Sequence, residues 1–189
     1  MTNIALFASH NGSGFDTILA AIKDKRLPIS IRLVISNNTN SPVLQKAKDN
    51  NINNYIVNQN TTVDINAKLT ELLKENKCKY IFLAGYMKKL HFSITDNFKV
   101  LNTHPSLLPK HGGSGMYGHH VHEAVIKNQD KTSGVTIHEV DSQYDSGKII
   151  LQKEIALSPD ETPKTLEIKI KKLEKVAIID GLVKYLNIS

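Results

Sequence analysis

Hydrophobic and polar positions change rhythm repeatedly along this chain, and each change predicts an element. Residues 3–8 (NIALFA) form a short apolar run that meets Ser9-His10-Asn11-Gly12-Ser13-Gly14, after which Phe15, Ile18, Leu19 and Ile22 recur at helical spacing. That succession is strand, glycine turn, helix. Residues 29–36 (ISIRLVIS) predict a second strand, and Ser41-Pro42 opens a helix running to about residue 50. A short strand at 55–57 precedes a helix whose apolar stripe is Ile65, Leu69, Leu72 and Leu73. Residues 80–84 (YIFLA) are the dense apolar run of a strand buried on both faces. Another strand, 100–103, leads straight into His104-Pro105.

After His104 the pattern changes. Residues 105–118 carry two prolines and four glycines, a loop too long to be a mere connector. Its start is bracketed by His104-Pro105 and Leu108-Pro109, and the Leu108–Pro109 bond is the one expected to be cis in so sharp a turn. Residues 119–127 predict a short helix, and 133–140 and 149–155 two antiparallel strands across the polar turn 141–147. Thr162-Pro163 caps a long last helix with Leu166, Ile170, Leu173 and Ala177 on one face. Strands alternating with helices predict the α/β class: a doubly wound, mostly parallel sheet with an antiparallel C-terminal strand pair and a long C-terminal helix. No repeat or linker interrupts it, so a single domain over 1–189 is expected, with halves 1–104 and 105–189.

Composition narrows the function classes. Of 189 residues, 40% are hydrophobic and 22% charged, the mixture of a domain that buries its own core. The single cysteine, Cys78, excludes an internal disulfide and fits a reducing compartment; it precedes a buried strand without an activating partner and reads as structural. No basic start leads into an apolar segment, and no apolar run approaches the roughly 20 residues of a membrane span. A cytoplasmic location without a membrane partner is expected. The net charge of +6 raises nucleic-acid binding, but acidic residues interleave with the lysines, aromatics are only 6% and tryptophan is absent. The same bias steers small anions such as phosphates. Lys164, Lys169, Lys171, Lys172 and Lys175 read as a solvated helix face, and no nucleic-acid partner is expected.

In a doubly wound sheet, ligands sit beyond the carboxyl ends of the strands. The turn at 11–14 lies there, and unpaired N–H groups at the following helix start suit a phosphate. The segment is neither a dinucleotide fingerprint nor a P-loop, and a tight turn holding nothing has the same look. Asn102 and His104, one residue apart at a strand end, point the same way and suit a developing oxyanion. Such a pair also often satisfies local backbone groups. His119 and His122, with His138 as a third member, could ligate a metal, but neither cysteine nor carboxylate completes the set and no metal is expected.

Residues 102–109 (NTHPSLLP) resemble the signature of the formyltransferases that use 10-formyltetrahydrofolate. Residues 83–90 (LAGYMKKL) and 140–152 (VDSQYDSGKIILQ) match the same family at the expected intervals. The resemblance implies a Rossmann-like fold and formyl transfer to the amine of a small phosphorylated ribonucleotide, with reduced folate as cosubstrate. It also implies roles. Asn102 and His104 would bind the formyl oxygen, with His104 a protonated general acid whose pKa Asp145 raises. Asn11, Gly12, Ser13 and Gly14 would hold the phosphate, and Glu174 the ribose hydroxyls. Met87, Lys88, Lys89 and Leu90, with Asn102, Val140, Asp141 and Tyr144, would clasp the pterin, largely through backbone groups. A monomer or weak homodimer is expected. His10 and Gly14 stand where the family often has glycine and asparagine, and residues 58–64 contain no arginine for the folate tail. Other family activities remain: a formyltetrahydrofolate hydrolase, or transfer to charged tRNA or a nucleotide sugar. Length favours the small amine, because the hydrolase and the tRNA enzyme carry additional domains. A non-catalytic folate- or nucleotide-binding module is the third reading, and the joint presence of Asn102, His104 and Asp145 favours catalysis over it.

Overall fold

The structure, a computed structural model, describes residues 1–188 and divides into two compact units, Met1–Leu101 and the stretch from Asn102 onward. In the first unit β1 (Thr2–Phe7), β2 (Ile29–Ser36), β3 (Asn53–Ile56), β4 (Tyr80–Leu83) and the start of β5 (Lys99–His104) lie in the order β3-β2-β1-β4-β5. β1 runs parallel to both neighbours, with Leu6 opposite Val34 and Phe82, and β2 runs parallel to β3. Ile4, Ala5, Leu6 and Phe7 are all fully buried, which is why β1 shows no polar alternation: a central parallel strand is covered on both faces.

The connecting helices are α1 (Ser13–Lys23), α2 (Pro42–Asp49) and α3 (Ile65–Glu75). α1 buries Phe15, Ile18 and Ala21, while Leu19 and Ile22 are only half covered. α3 starts where the Asp64 carboxylate accepts the Ala67 N–H at 2.9 Å, an N-cap that satisfies one of the helix's orphan donors. Two features departed from the sequence pattern. β3 begins at Asn53, hidden by two asparagines that are depleted in strands. A four-residue helix, α4 (Phe92–Thr95), is too short to show periodicity and is opened by His91 Nδ1 accepting from Ser93 N–H at 3.3 Å.

In the second unit the order is β5-β6-β7, with β6 (Thr132–Glu139) antiparallel to β7 (Ile149–Ala156) as the sequence predicted. α5 (His119–Lys127) and α6 (Pro163–Tyr185) complete it. α6 opens with a reciprocal cap: Thr162 Oγ1 accepts from Thr165 N–H at 3.2 Å, and Thr165 Oγ1 accepts from Thr162 N–H at 3.0 Å. Its buried face is Leu166, Ile170, Ala177, Ile178 and Leu182, with Leu173 half covered. Gly181 lies on that face because an added Cβ would come within 2.8 Å of Ile137.

The loop after β5 is held from β6 and β7. Thr136 Oγ1 donates to the Ser106 carbonyl at 2.6 Å and accepts from Leu108 N–H at 3.0 Å and Gln152 Nε2 at 3.0 Å, filling its hydrogen-bonding capacity. Leu108–Pro109 is cis. Among the described residues no helix is long and apolar enough to cross a membrane.

Candidate active site

β5 sends Asn102 and His104 to one face and Thr103 to the other. The His104 ring is buried, 3% exposed. Its Nε2 lies 2.8 Å from the His111 carbonyl oxygen. A carbonyl only accepts, so in the neutral ring this nitrogen carries the proton. Nδ1 then faces Asp145, whose Oδ2 is 3.5 Å away, too far for a direct hydrogen bond. The carboxylate is itself fixed by the Gly113 N–H at 2.9 Å.

Burial pushes the His104 pKa below its ordinary value, against the upward pull of Asp145 and the His111 carbonyl. Asp145 does favour the cation, but desolvation of a nearly inaccessible ring outweighs it.

His138, which entered the sequence reading only as a possible metal ligand, belongs to the same cluster. Its Nδ1 donates to the Glu139 carbonyl at 2.8 Å, leaving Nε2 to accept the Asn102 Nδ2–H at 3.1 Å. Burial lowers its pKa as well, ahead of the opposing influence of Glu139 and Asp145, so the neutral ring orients the Asn102 amide. Asn102 spends one N–H on His138. The sequence signal for this role was a histidine inside an apolar strand, two residues before the matched segment 140–152. Gly147 guards the arrangement: a Cβ there would meet the Glu139 carbonyl oxygen at 1.9 Å and displace the acceptor of His138.

Thr103 Oγ1 donates to Glu174 Oε1 at 3.3 Å. Burial raises the Glu174 pKa, more than Thr103 and Lys171 lower it. A carboxyl with a raised folded-state pKa favours folding while protonated, and that contribution is lost as pH rises through the folded value. Glu174→Gln should therefore melt higher than the parent at pH 7.5, with the difference vanishing below the ordinary glutamate range. Melting curves from pH 4 to 8 check this, and a variant less stable than the parent at pH 7.5 contradicts it.

Val140 is half-buried, and Asp141 turns its carboxylate back on its own turn, accepting from Gln143 N–H at 2.8 Å and Ser146 Oγ at 2.8 Å. Tyr144 is exposed. Among the described residues no group of three or more His, Cys, Asp or Glu side chains could hold a metal ion. His119 instead reaches Glu167 at 3.3 Å, and His122 is buried.

In the first unit, the turn after β1 has its carbonyls tied down. Asn38 Nδ2 donates to the Ser9 carbonyl at 2.5 Å, Ser41 Oγ to that of His10 at 2.5 Å, and Lys46 Nζ to that of Asn11 at 2.9 Å. Gly12 precedes α1 at φ 66° and offers no side-chain cap, so the first-turn N–H groups have none. A Cβ on Gly12 would also meet Val43 Cγ2 at 2.5 Å, which makes any substitution there disruptive in itself. Ser13 is exposed and free of that constraint. Ser13→Glu places a carboxylate at the helix start; it should weaken ribonucleotide binding about tenfold or more and leave folate affinity within about twofold. Calorimetry with each ligand checks this, and equal losses would remove the phosphate assignment.

Met87, Lys88 and Lys89 are exposed, while Leu90 is buried. The Met87 N–H is already donated to Ser9 Oγ at 2.7 Å, and Ser9 Oγ donates onward to Asn37 Oδ1 at 2.5 Å. The pterin contacts expected from this segment therefore cannot use that backbone group.

A sequence profile of the family described as formyl transferase matches residues 2–182. The chain belongs to the formyl transferase family. It is 31% identical over 179 residues to the phosphoribosylglycinamide formyltransferase of Bacillus subtilis, an alignment covering 92% of this chain and 89% of that protein. It is 30% identical to the chloroplastic phosphoribosylglycinamide formyltransferase of Arabidopsis thaliana, covering 86% of this chain but only 58% of the plant protein, a little over half its length. The crystal structure of the phosphoribosylglycinamide formyltransferase of Bacillus halodurans superposes with a TM-score of 0.86 at 28% identity, covering 99% of this chain and 98% of that one.

Proposed function

We propose that this protein transfers the formyl group of 10-formyltetrahydrofolate to the amine of phosphoribosylglycinamide. The reading is carried by one observation: Asn102, His104 and Asp145 gather in one cluster around His138, with the His104 ring buried and Asn102 and Asp145 half-buried. The substrate amine attacks the formyl carbon, and the carbonyl electrons move onto oxygen, which takes the unspent N–H of Asn102. His104 Nδ1 accepts the proton of the attacking nitrogen. The imidazolium so formed faces Asp145, which stabilises it, and returns the proton to the departing folate nitrogen as the carbon–nitrogen bond breaks. The proton count balances without a side-chain nucleophile. Ser106 does not serve as one, since its Oγ donates to the Lys110 carbonyl at 2.7 Å. In the first unit, the turn at 11–14 is the proposed phosphate site.

The deciding experiment is a formyl-transfer assay with purified protein, offering phosphoribosylglycinamide, water and charged tRNA as acceptors. Turnover with phosphoribosylglycinamide at least about a hundredfold above water, the order of gain that positioned acid–base groups supply, is the expected result. Hydrolysis alone, or transfer only to tRNA, overturns the assignment.

A further inference from the structure

The proposed chemistry requires His104 Nδ1 to be bare in the resting ring, yet its surroundings favour the opposite. A neutral imidazole has one proton, and a carboxylate beside Nδ1 would draw it there. What opposes Asp145 is the His111 carbonyl, 2.8 Å from Nε2. That carbonyl stands at the head of a run containing Gly112, Gly113, Gly115 and Gly118, whose backbone freedom gives it no intrinsic reason to stay. His111 itself has φ 53°, a left-handed conformation that a non-glycine residue keeps only when something holds it.

The holder is Asp130. His111 Nε2 lies 2.6 Å from Asp130 Oδ2, and both side chains are nearly buried, 13% and 10% exposed. Asp130 sits between α5 and β6, and its other oxygen, Oδ1, accepts from Asn128 Nδ2 at 2.8 Å and Lys110 Nζ at 3.1 Å. We infer that the His111–Asp130 pair is a positioning device for His104: it pins the His111 carbonyl on Nε2 and so assigns Nδ1 as the nitrogen that takes the substrate proton. The inference rests on the reading of His104 as the proton carrier. Lys110, two-thirds exposed, contributes little to the anchor. Without the anchor the carbonyl drifts off, the proton moves to Nδ1 toward Asp145, and the base is lost.

Two variants separate the side-chain anchor from the backbone conformation. His111→Asn tolerates positive φ but is too short to reach Asp130, whereas Asp130→Asn keeps the shape and removes the charge. The full-length protein, labelled with 15N-histidine, is observed through two-bond correlations of the ring nitrogens, with His104 identified by its loss in His104→Gln. In the parent, neutral His104 is expected to be protonated at Nε2. In His111→Asn the Nδ1–H form becomes the major one, and kcat falls about tenfold or more while KM changes by less than about threefold, the split expected when a proton sits on the wrong nitrogen. Asp130→Asn shifts the tautomers the same way to a smaller extent. Amide spectra confirm that each variant is folded; should Asp130→Asn fail to fold, His111→Asn alone decides. A folded His111→Asn that keeps His104 protonated at Nε2 overturns the proposal. A tautomer shift in a protein that formylates no amine upholds the anchor and overturns the formyl-transfer reading instead.

Discussion

Replacing His104 with alanine should lower kcat for formyl transfer by at least about two orders of magnitude while folate affinity stays nearly unchanged. The ring is buried and spends Nε2 on the His111 carbonyl, so its working atom is Nδ1 alone. Alanine removes that atom and with it both the acceptor for the amine proton and the donor to the leaving nitrogen. Acid–base assistance of this kind contributes about 10²–10⁴ in rate, and the loss falls on kcat because the contact strengthens only as the proton moves. The Asn102 amide remains oriented by His138 at 3.1 Å, so some residual rate should survive. Single-turnover kinetics with a separate folate titration measures the two effects. Unchanged turnover would remove His104 from the chemistry and return the chain to the reading of a folate-binding module.

Asp145→Asn should reduce kcat by about two orders of magnitude as well, because the imidazolium formed during transfer loses its counter-charge. Asparagine suits the site sterically: Asp145 has φ 55°, and asparagine is among the few residues that tolerate it, while its oxygen can still accept from Gly113 N–H. The pH profile carries a further sign. Catalysis by a neutral resting His104 fails on the acid side as the ring becomes protonated. Asp145 raises the His104 pKa against the dominant lowering by burial, so removing the charge lowers it further. The acid limb of kcat/KM should therefore move to lower pH in Asp145→Asn. The double variant should cost little more than either single one, since the two residues act as a unit. A limb displaced to higher pH would contradict this electrostatic account.

Much of the architecture was legible because it is written locally. The apolar runs of β1, β2 and β4, the antiparallel pair around the turn 141–147 and the capped start of α6 each follow from neighbouring residues. The motif at 102–109 singled out Asn102 and His104 for the same reason. What escaped the sequence depends on contacts between distant positions. Ser9 meets Met87 across 78 residues, and His138 meets Asn102 across 36, with no periodicity to announce either pairing. Asp130 carries no signal in the sequence, and only the contact of its carboxylate with His111 reveals it. The burial of His104 was hidden for a related reason. The carboxylate partner was visible in the motif, but the burial that outweighs it is a property of the packed chain.

The splinted turn after β1 also bears on the entropy of recognition. Fixing a backbone residue costs on the order of 1–2 kcal/mol, and a loop ordered only by its ligand subtracts that from affinity. Here the carbonyls of Ser9, His10 and Asn11 are already bound by Asn38, Ser41 and Lys46, so the ordering is completed during folding. An anion docking at Gly12 and Ser13, as proposed above, would meet a surface that does not have to be frozen. The converse also holds. Because α2 and the preceding segment hold the turn, loosening Ser41 or Lys46 would weaken anion binding without touching any atom that meets the anion.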